Sequence, residues 1–233
     1  MSGQSGVVAV TCLALEASIA RGPGVSVLCN PSIGLRTALA AAIKRGATGI
    51  ISFGIAGGLA PELEAGDWVV ASAVRKGANR IATDRAWAFN LLDSLPGAVH
   101  AEVAGVDSVI ADPAEKAALF RDSGAVAVDM ESHIAAQVAA EHRVPFAACR
   151  VIIDAAHRTL PPAATLGLRA DGKPDVPAIV RSVCRNPQQL PDLVRTAFDA
   201  RIAERALRQG RRQLGVGLGF PDRKGFAFEL AYA

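Results

Sequence analysis

Two carboxylates stand directly after apolar runs. Asp154 closes the run Phe146–Ile153. A carboxyl in that position is poorly solvated, which raises its pKa and suits it to general-acid work. A partnership with Arg150 or Arg158 would lower the pKa instead, and the sequence leaves both readings open. Glu131 sits in Asp129-Met130-Glu131-Ser132, after the run Ala125–Val128. Acids in a helix's first turn favour the helix dipole, so capping is one reading. The other is a carboxylate at the mouth of a sheet, accepting hydrogen bonds from vicinal hydroxyls such as those of a ribose.

A third stretch, Gly54-Ile55-Ala56-Gly57-Gly58, follows the apolar run Gly49–Phe53. Glycines there let backbone N–H groups approach an anion, as in a phosphate nest. It is neither a Gly-x-Gly-x-x-Gly fingerprint nor a phosphate loop ending in Gly-Lys-Ser/Thr. The glycines at 215, 217 and 219 follow a helix rather than a strand and carry no such signal. His133 and His142 are not at metal-ligand spacing, His157 follows Asp154 closely and His100 begins a strand. All four read as structural or solvated. Cys12, Cys29, Cys149 and Cys184 are far apart with no Cys-x-x-Cys pair, so neither a zinc site nor a disulfide framework is expected. A reducing cytoplasm is the natural compartment.

The elements that must position these residues alternate. Strands are expected at Val7–Leu13, Val25–Cys29, Gly49–Phe53, Trp68–Val74, Val99–Ala104, Ala125–Val128 and Phe146–Ile153. Helices are expected at 35–44, 85–94, 113–122, 131–142, 176–184 and 191–209, with a long loop over 159–175. Such alternation predicts an α/β fold whose mixed sheet is flanked by helices, with ligands bound beyond the carboxyl ends of the strands. The main domain is expected over 1–187. Residues 188–233 would be a C-terminal helix and an apolar tail packed on that domain or on a neighbour.

Composition agrees. The 233 residues are 51% hydrophobic, 20% charged and only 5% aromatic, which excludes a disordered chain and implies a core of Ala, Val, Leu and Ile. A net charge of +3 is too mild to imply nucleic-acid binding. The apolar stretch Gly6–Leu15 has no preceding positive charge and ends at Glu16, so it reads as a strand rather than a leader or a membrane span.

Together these pieces resemble the nucleoside phosphorylase and methylthioadenosine/adenosylhomocysteine nucleosidase superfamily. Gly54-Ile55-Ala56-Gly57-Gly58-Leu59-Ala60-Pro61 through Gly66-Asp67 resembles its glycine loop. Val128-Asp129-Met130-Glu131-Ser132 resembles its Met-Glu ribose motif, and Val144-Pro145-Phe146 through Asp154 resembles the strand leading to its catalytic acid. Within the superfamily the chain looks most like the hopanoid-associated phosphorylases, on its Phe-Gly-Ile-Ala-Gly-Gly and Met-Glu-Ser-His forms and Arg158-Thr159-Leu160-Pro161-Pro162.

The resemblance implies a three-layer nucleoside-phosphorylase fold and phosphorolysis of adenosylhopane to phosphoribosylhopane and adenine, with hydrolytic nucleosidase action or non-catalytic nucleoside binding as alternatives. It makes Asp154 the acid on the leaving purine and Glu131 the holder of the sugar hydroxyls. Met130 belongs to the ribose motif, and Val109 and Ile110 lie in a segment similar to the purine edge. Phosphate, a co-substrate rather than a cofactor, would sit on Ala56 and Gly57 with Arg36; surface charge is the other reading of Arg36. No metal or organic cofactor is implied, and a homo-oligomer is expected. Ile153 stands where the family has Ser, and Glu16 falls one residue short of the family's water-activating Glu, so that role is not carried over. Arg201, Arg205, Arg208 and Arg212 share a helix face ahead of the apolar tail. They are either solvated or a peripheral contact with anionic lipid, through which a lipid-borne nucleoside would arrive.

Overall fold

The computed structural model describes residues 6–29, 34–165 and 175–221. In chain order the elements are β1 (Val7–Thr11), α1 (Ala14–Ala20), β2 (Val25–Cys29), α2 (Leu35–Lys44), β3 (Gly49–Gly58), β4 (Trp68–Lys76), β5 (Asn79–Ala82) and α3 (Arg85–Ser94). Then come β6 (Val99–Gly105), α4 (Pro113–Ser123), β7 (Ala127–Asp129), α5 (Ser132–His142), β8 (Phe146–Asp154), α6 (Pro162–Thr165), α7 (Val176–Arg185) and α8 (Leu190–Gln213).

The expected α/β architecture is present. A mixed sheet runs β2-β1-β3-β7-β6-β4-β5, and β8 pairs with both β3 and β4, so the sheet closes on itself. One core layer packs α2 and α5 on the sheet through Leu35, Leu39, Ala135 and Val138. The other packs α1, α3 and α8 through Ile19, Trp87, Ala203 and Leu207. The core is aliphatic, as the low aromatic content requires.

Three expectations change. The first strand does not run on to Leu13: β1 stops at Thr11 and α1 follows from Ala14, because Glu16, Ala17, Ile19 and Ala20 recur at helical spacing and are buried together. The glycine stretch is not a loop. It is the end of β3, paired in parallel with β8 and, at Gly57 and Gly58, antiparallel with β7. Strand β5, an antiparallel hairpin partner of β4, was not legible at its length of four residues. The segment after α8 packs against α3 as far as Pro221. Leu214 and Leu218 are buried, and Phe220 meets the Trp87 ring edge-on at 4.8 Å. Residues 222–233 lie outside the described residues, as does most of the expected loop, 166–174.

Candidate active site

Strands β3 and β7 run in opposite directions and overlap only where Gly57 faces Val128 and Gly58 faces Ala127. The carboxyl ends of β1, β6 and β8 reach the same place. Beyond them lies a cavity of about 290 Å³ walled by Glu16, Ala56, Gly57, Met130, Glu131 and Asp154, with Val109 and Ile110 on its outer side. Seven residues singled out in the sequence therefore line one cavity: Asp154, Glu131, Ala56, Gly57, Met130, Val109 and Ile110.

Arg36 does not join them. It lies on α2, half-exposed, and donates to both carboxylate oxygens of Glu141 (2.8 and 2.6 Å) and to Gln137 (3.0 Å) on α5. The surface-charge reading describes it, because a guanidinium so placed is turned along the outer face of two helices.

Glu131 stands at the N-cap position of α5, but its side chain makes no capping hydrogen bond. Asp129 takes that task, accepting from the Ser132 N–H at 3.0 Å, and it also accepts from the Ser132 hydroxyl. Glu131 is buried, and its Oε1 has no hydrogen-bond partner among the described residues. A buried carboxylate oxygen without a donor is costly unless a ligand supplies one. Burial, then the nearby Asp129 charge, push the Glu131 pKa up to about 7, while Arg150 opposes them.

Arg150, fully buried in the middle of β8, pairs with Asp129 (2.6 Å) rather than with Asp154, and donates to Ser52 (2.5 Å) and Ser132 (3.2 Å). Arg158 pairs with Asp199 at 3.7 Å. The partner of Asp154 is instead Lys116, fully buried on α4. Burial nevertheless dominates, pushing the Asp154 pKa up to about 6 against the lowering effect of Lys116.

Glu16 completes the cavity wall. Both its oxygens are engaged: Oε2 accepts from the N–H groups of Cys12 (2.8 Å) and Leu13 (2.7 Å), and Oε1 from that of Ile55 (2.7 Å). Burial raises its pKa, and Arg150 and the three N–H groups oppose the rise. A Cβ on Gly54 would collide with this carboxylate, which explains the glycine better than a nest does. An added Cβ on Gly57 would meet Val128 at 3.3 Å and reach only ordinary contact, 3.4 and 3.5 Å, with the carboxylate oxygens of Asp154. Gly54 thus admits the Glu16 carboxylate to the strand.

The histidines stay outside the cavity. His133 faces Lys76 (3.1 Å) and Asp107 (3.5 Å), His100 meets the Val70 carbonyl at 3.0 Å, and His157 is exposed near Glu64.

The family model described as "Phosphorylase superfamily" matches residues 15–185. No curated protein matches the sequence. Solved structures do. A Helicobacter pylori 5′-methylthioadenosine/S-adenosylhomocysteine nucleosidase, complexed with a substituted pyrrolidin-3-ol, matches at a TM-score of 0.65 and 13% identity, covering 98% of this chain and 100% of that one. Futalosine hydrolase of the same organism matches at 0.66 and 13%, covering 93% and 98%. An S-adenosylhomocysteine nucleosidase from Streptococcus pyogenes, with 5-methylthiotubericidin bound, matches at 0.63 and 15%, covering 92% and 99%. At these identities the likeness is one of fold.

Proposed function

We propose, since the chain belongs to the phosphorylase superfamily, that it cleaves the N-glycosidic bond of an adenosine bearing a 5′ substituent, and that water is the nucleophile. The observation that carries this reading is the placement of Glu16, Glu131 and Asp154 around one cavity from which Arg36 is absent. The neighbours of like fold are hydrolytic nucleosidases by name.

Each carboxylate has one task. Asp154, protonated, gives its proton to an imidazole-ring nitrogen of the purine as the bond to the anomeric carbon breaks. The bonding pair then leaves with a neutral base, and such general-acid help is worth about 10²–10⁴-fold. Glu131 accepts from the ribose hydroxyls through the unpartnered Oε1 and stabilises the positive charge growing on the ring. Glu16 takes a proton from water, whose oxygen bonds to the anomeric carbon; burial makes it the stronger base. The products are adenine and a free reducing sugar.

Adenine release from methylthioadenosine, S-adenosylhomocysteine and adenosylhopane, each with and without phosphate, tests this. Release in phosphate-free buffer, with Glu16→Gln slower by about 10²–10³-fold, is the expected result. An absolute requirement for phosphate, with a sugar phosphate as product, would reject the hydrolytic reading.

One observation favours a second reading, phosphorolysis of a lipid-borne adenosine such as adenosylhopane. Val176 and Val180 on α7, and Leu190, Val194, Phe198 and Ile202 on α8, are large apolar residues left exposed, and Thr196 on the same stretch of α8 lines the cavity. Arg181, Arg185, Arg195, Arg201 and Arg205 are exposed beside them. An apolar stripe among arginines suits the surface of an anionic bilayer, where each cation contributes about 1 kcal/mol at low salt. Among the described residues no helix is long and apolar enough to cross a membrane, so the contact would be peripheral. Under this reading the protein co-sediments with anionic vesicles at low salt, and Phe198→Glu abolishes the binding. Failure to bind removes the support for a lipid substrate and leaves the hydrolytic reading untouched.

A further inference from the structure

Lys116 is not among the residues the sequence brings forward, and with Arg150 it is one of two fully buried cations among the described residues. It is fully buried, whereas lysines are almost never fully buried without partners. Its ammonium has three donors and three acceptors: Asp154 Oδ2, the Ala155 carbonyl (3.1 Å) and the Arg158 carbonyl (3.1 Å). Nothing is left over for a ligand. A lysine on α4 thus ties down the turn after β8 and one oxygen of its last carboxylate, leaving Oδ1 for whatever enters the cavity.

We propose that Lys116 is the positioning residue of the acid: it fixes Asp154 through Oδ2 and, by its charge, decides up to what pH that carboxyl keeps the proton it must deliver. The inference rests on the reading of Asp154 as general acid. It accounts for a charge that general-acid catalysis alone would not want, since a cation at hydrogen-bond distance favours the ionised carboxylate. Without Lys116, burial alone would hold the proton so firmly that Asp154 would become a weaker donor. With it, proton affinity is brought toward the working pH, where a general acid is most effective.

The other charges around Asp154 are few. A polar chamber of about 140 Å³ shares Asp154 and Thr196 with the main cavity, and is lined by His157 and Arg158 from the turn after β8 and by Asp192, Arg195 and Asp199 from α8. Asp199 opposes ionisation of Asp154, and Arg158 at 3.7 Å offsets the Asp199 charge. Arg195 is similarly turned to Asp192 at 3.7 Å. Lys116 is therefore the cation whose charge acts on Asp154 without an acid of its own to answer.

The test compares Lys116→Met, Lys116→Arg and the wild type in two measurements. In the pH profile of kcat/KM for adenine release, Lys116→Met should move the alkaline limb upward by up to about two pH units, with a lower maximal rate, and Lys116→Arg should return the limb toward its original place. The second measurement, melting temperature against pH, needs no substrate. A carboxyl whose folded pKa is raised loses stability as pH rises through that pKa. The decline in Lys116→Met should therefore continue about one unit or more higher in pH than in the wild type, and adding Asp154→Asn should abolish the difference. Unmoved melting curves would overturn the proposal. A shifted melting curve without any nucleoside cleavage would uphold the coupling of Lys116 to Asp154 and reject the reaction instead.

Discussion

Asp154→Asn should lower kcat/KM for adenine release by about 10²–10⁴-fold, the range spanned by general-acid catalysis. The amide keeps the shape of the side chain and an oxygen for Lys116, so the cavity wall survives. What is lost is the proton. An anionic purine leaves poorly, and the loss should therefore be largest for substrates with an unactivated base and smallest for a nucleoside whose leaving group needs no protonation. Equal losses for both would show that Asp154 binds rather than donates. Folding must be followed in parallel, since the variant leaves a buried ammonium facing a neutral partner, and breaking a buried pair can cost about 3–5 kcal/mol. A melting temperature still well above the assay temperature separates chemistry from unfolding.

The pH dependence follows from the same groups. Asp154, raised to about 6, is the acid and must be protonated; Glu131, raised to about 7, is most useful ionised. The two requirements oppose each other, so kcat/KM should trace a narrow bell between those values, with only a minor share of the enzyme in the productive state. Stability moves differently. Each group's folded pKa lies above its ordinary value, so its contribution is complete at acid pH and is lost as pH rises, through about 6 for Asp154 and about 7 for Glu131.

Much of this site was legible because it follows strands. Asp154, Glu131 and the glycines are read directly from acids and small residues placed at the ends of apolar runs, and β8 and β7 deliver them where the pattern says. What escaped was whatever depended on a residue's facing direction. Glu16 ends an apolar stretch in the sequence, yet the helical spacing of Glu16, Ile19 and Ala20 puts it on the buried face. Lys116 sits in a helix that mixes apolar and charged residues without a distinct apolar face, so no periodic signal marks it as internal. Arg36 shows the opposite error. A cation after a glycine-containing turn invites an anion, but α2 turns it toward Glu141, and a partner about a hundred residues away in sequence leaves no local trace. Gly54 makes room for the Glu16 carboxylate, which only tertiary packing could disclose.

Glu131→Gln carries the other large effect. Its Oε1 is buried without a donor among the described residues, an arrangement that a ribose hydroxyl would satisfy and that costs free energy until one arrives. Both the free and the bound sugar are neutral, and positive charge appears on the ring only as the glycosidic bond breaks. A carboxylate therefore gains far more in the transition state than in the ground state, whereas an amide offers the same hydrogen bond in both. The variant should lose about 10²–10³-fold in kcat with KM changed only a few-fold. The acid limb of the pH profile should vanish with it, because the group near 7 is gone. Arg150 sharpens the expectation: with Glu131 neutral, only Asp129 and Glu16 remain to answer its charge, and less negative charge is left where the cationic ring must form. A loss confined to KM would make Glu131 a ground-state hydroxyl holder and move the stabilisation of the ring to Glu16.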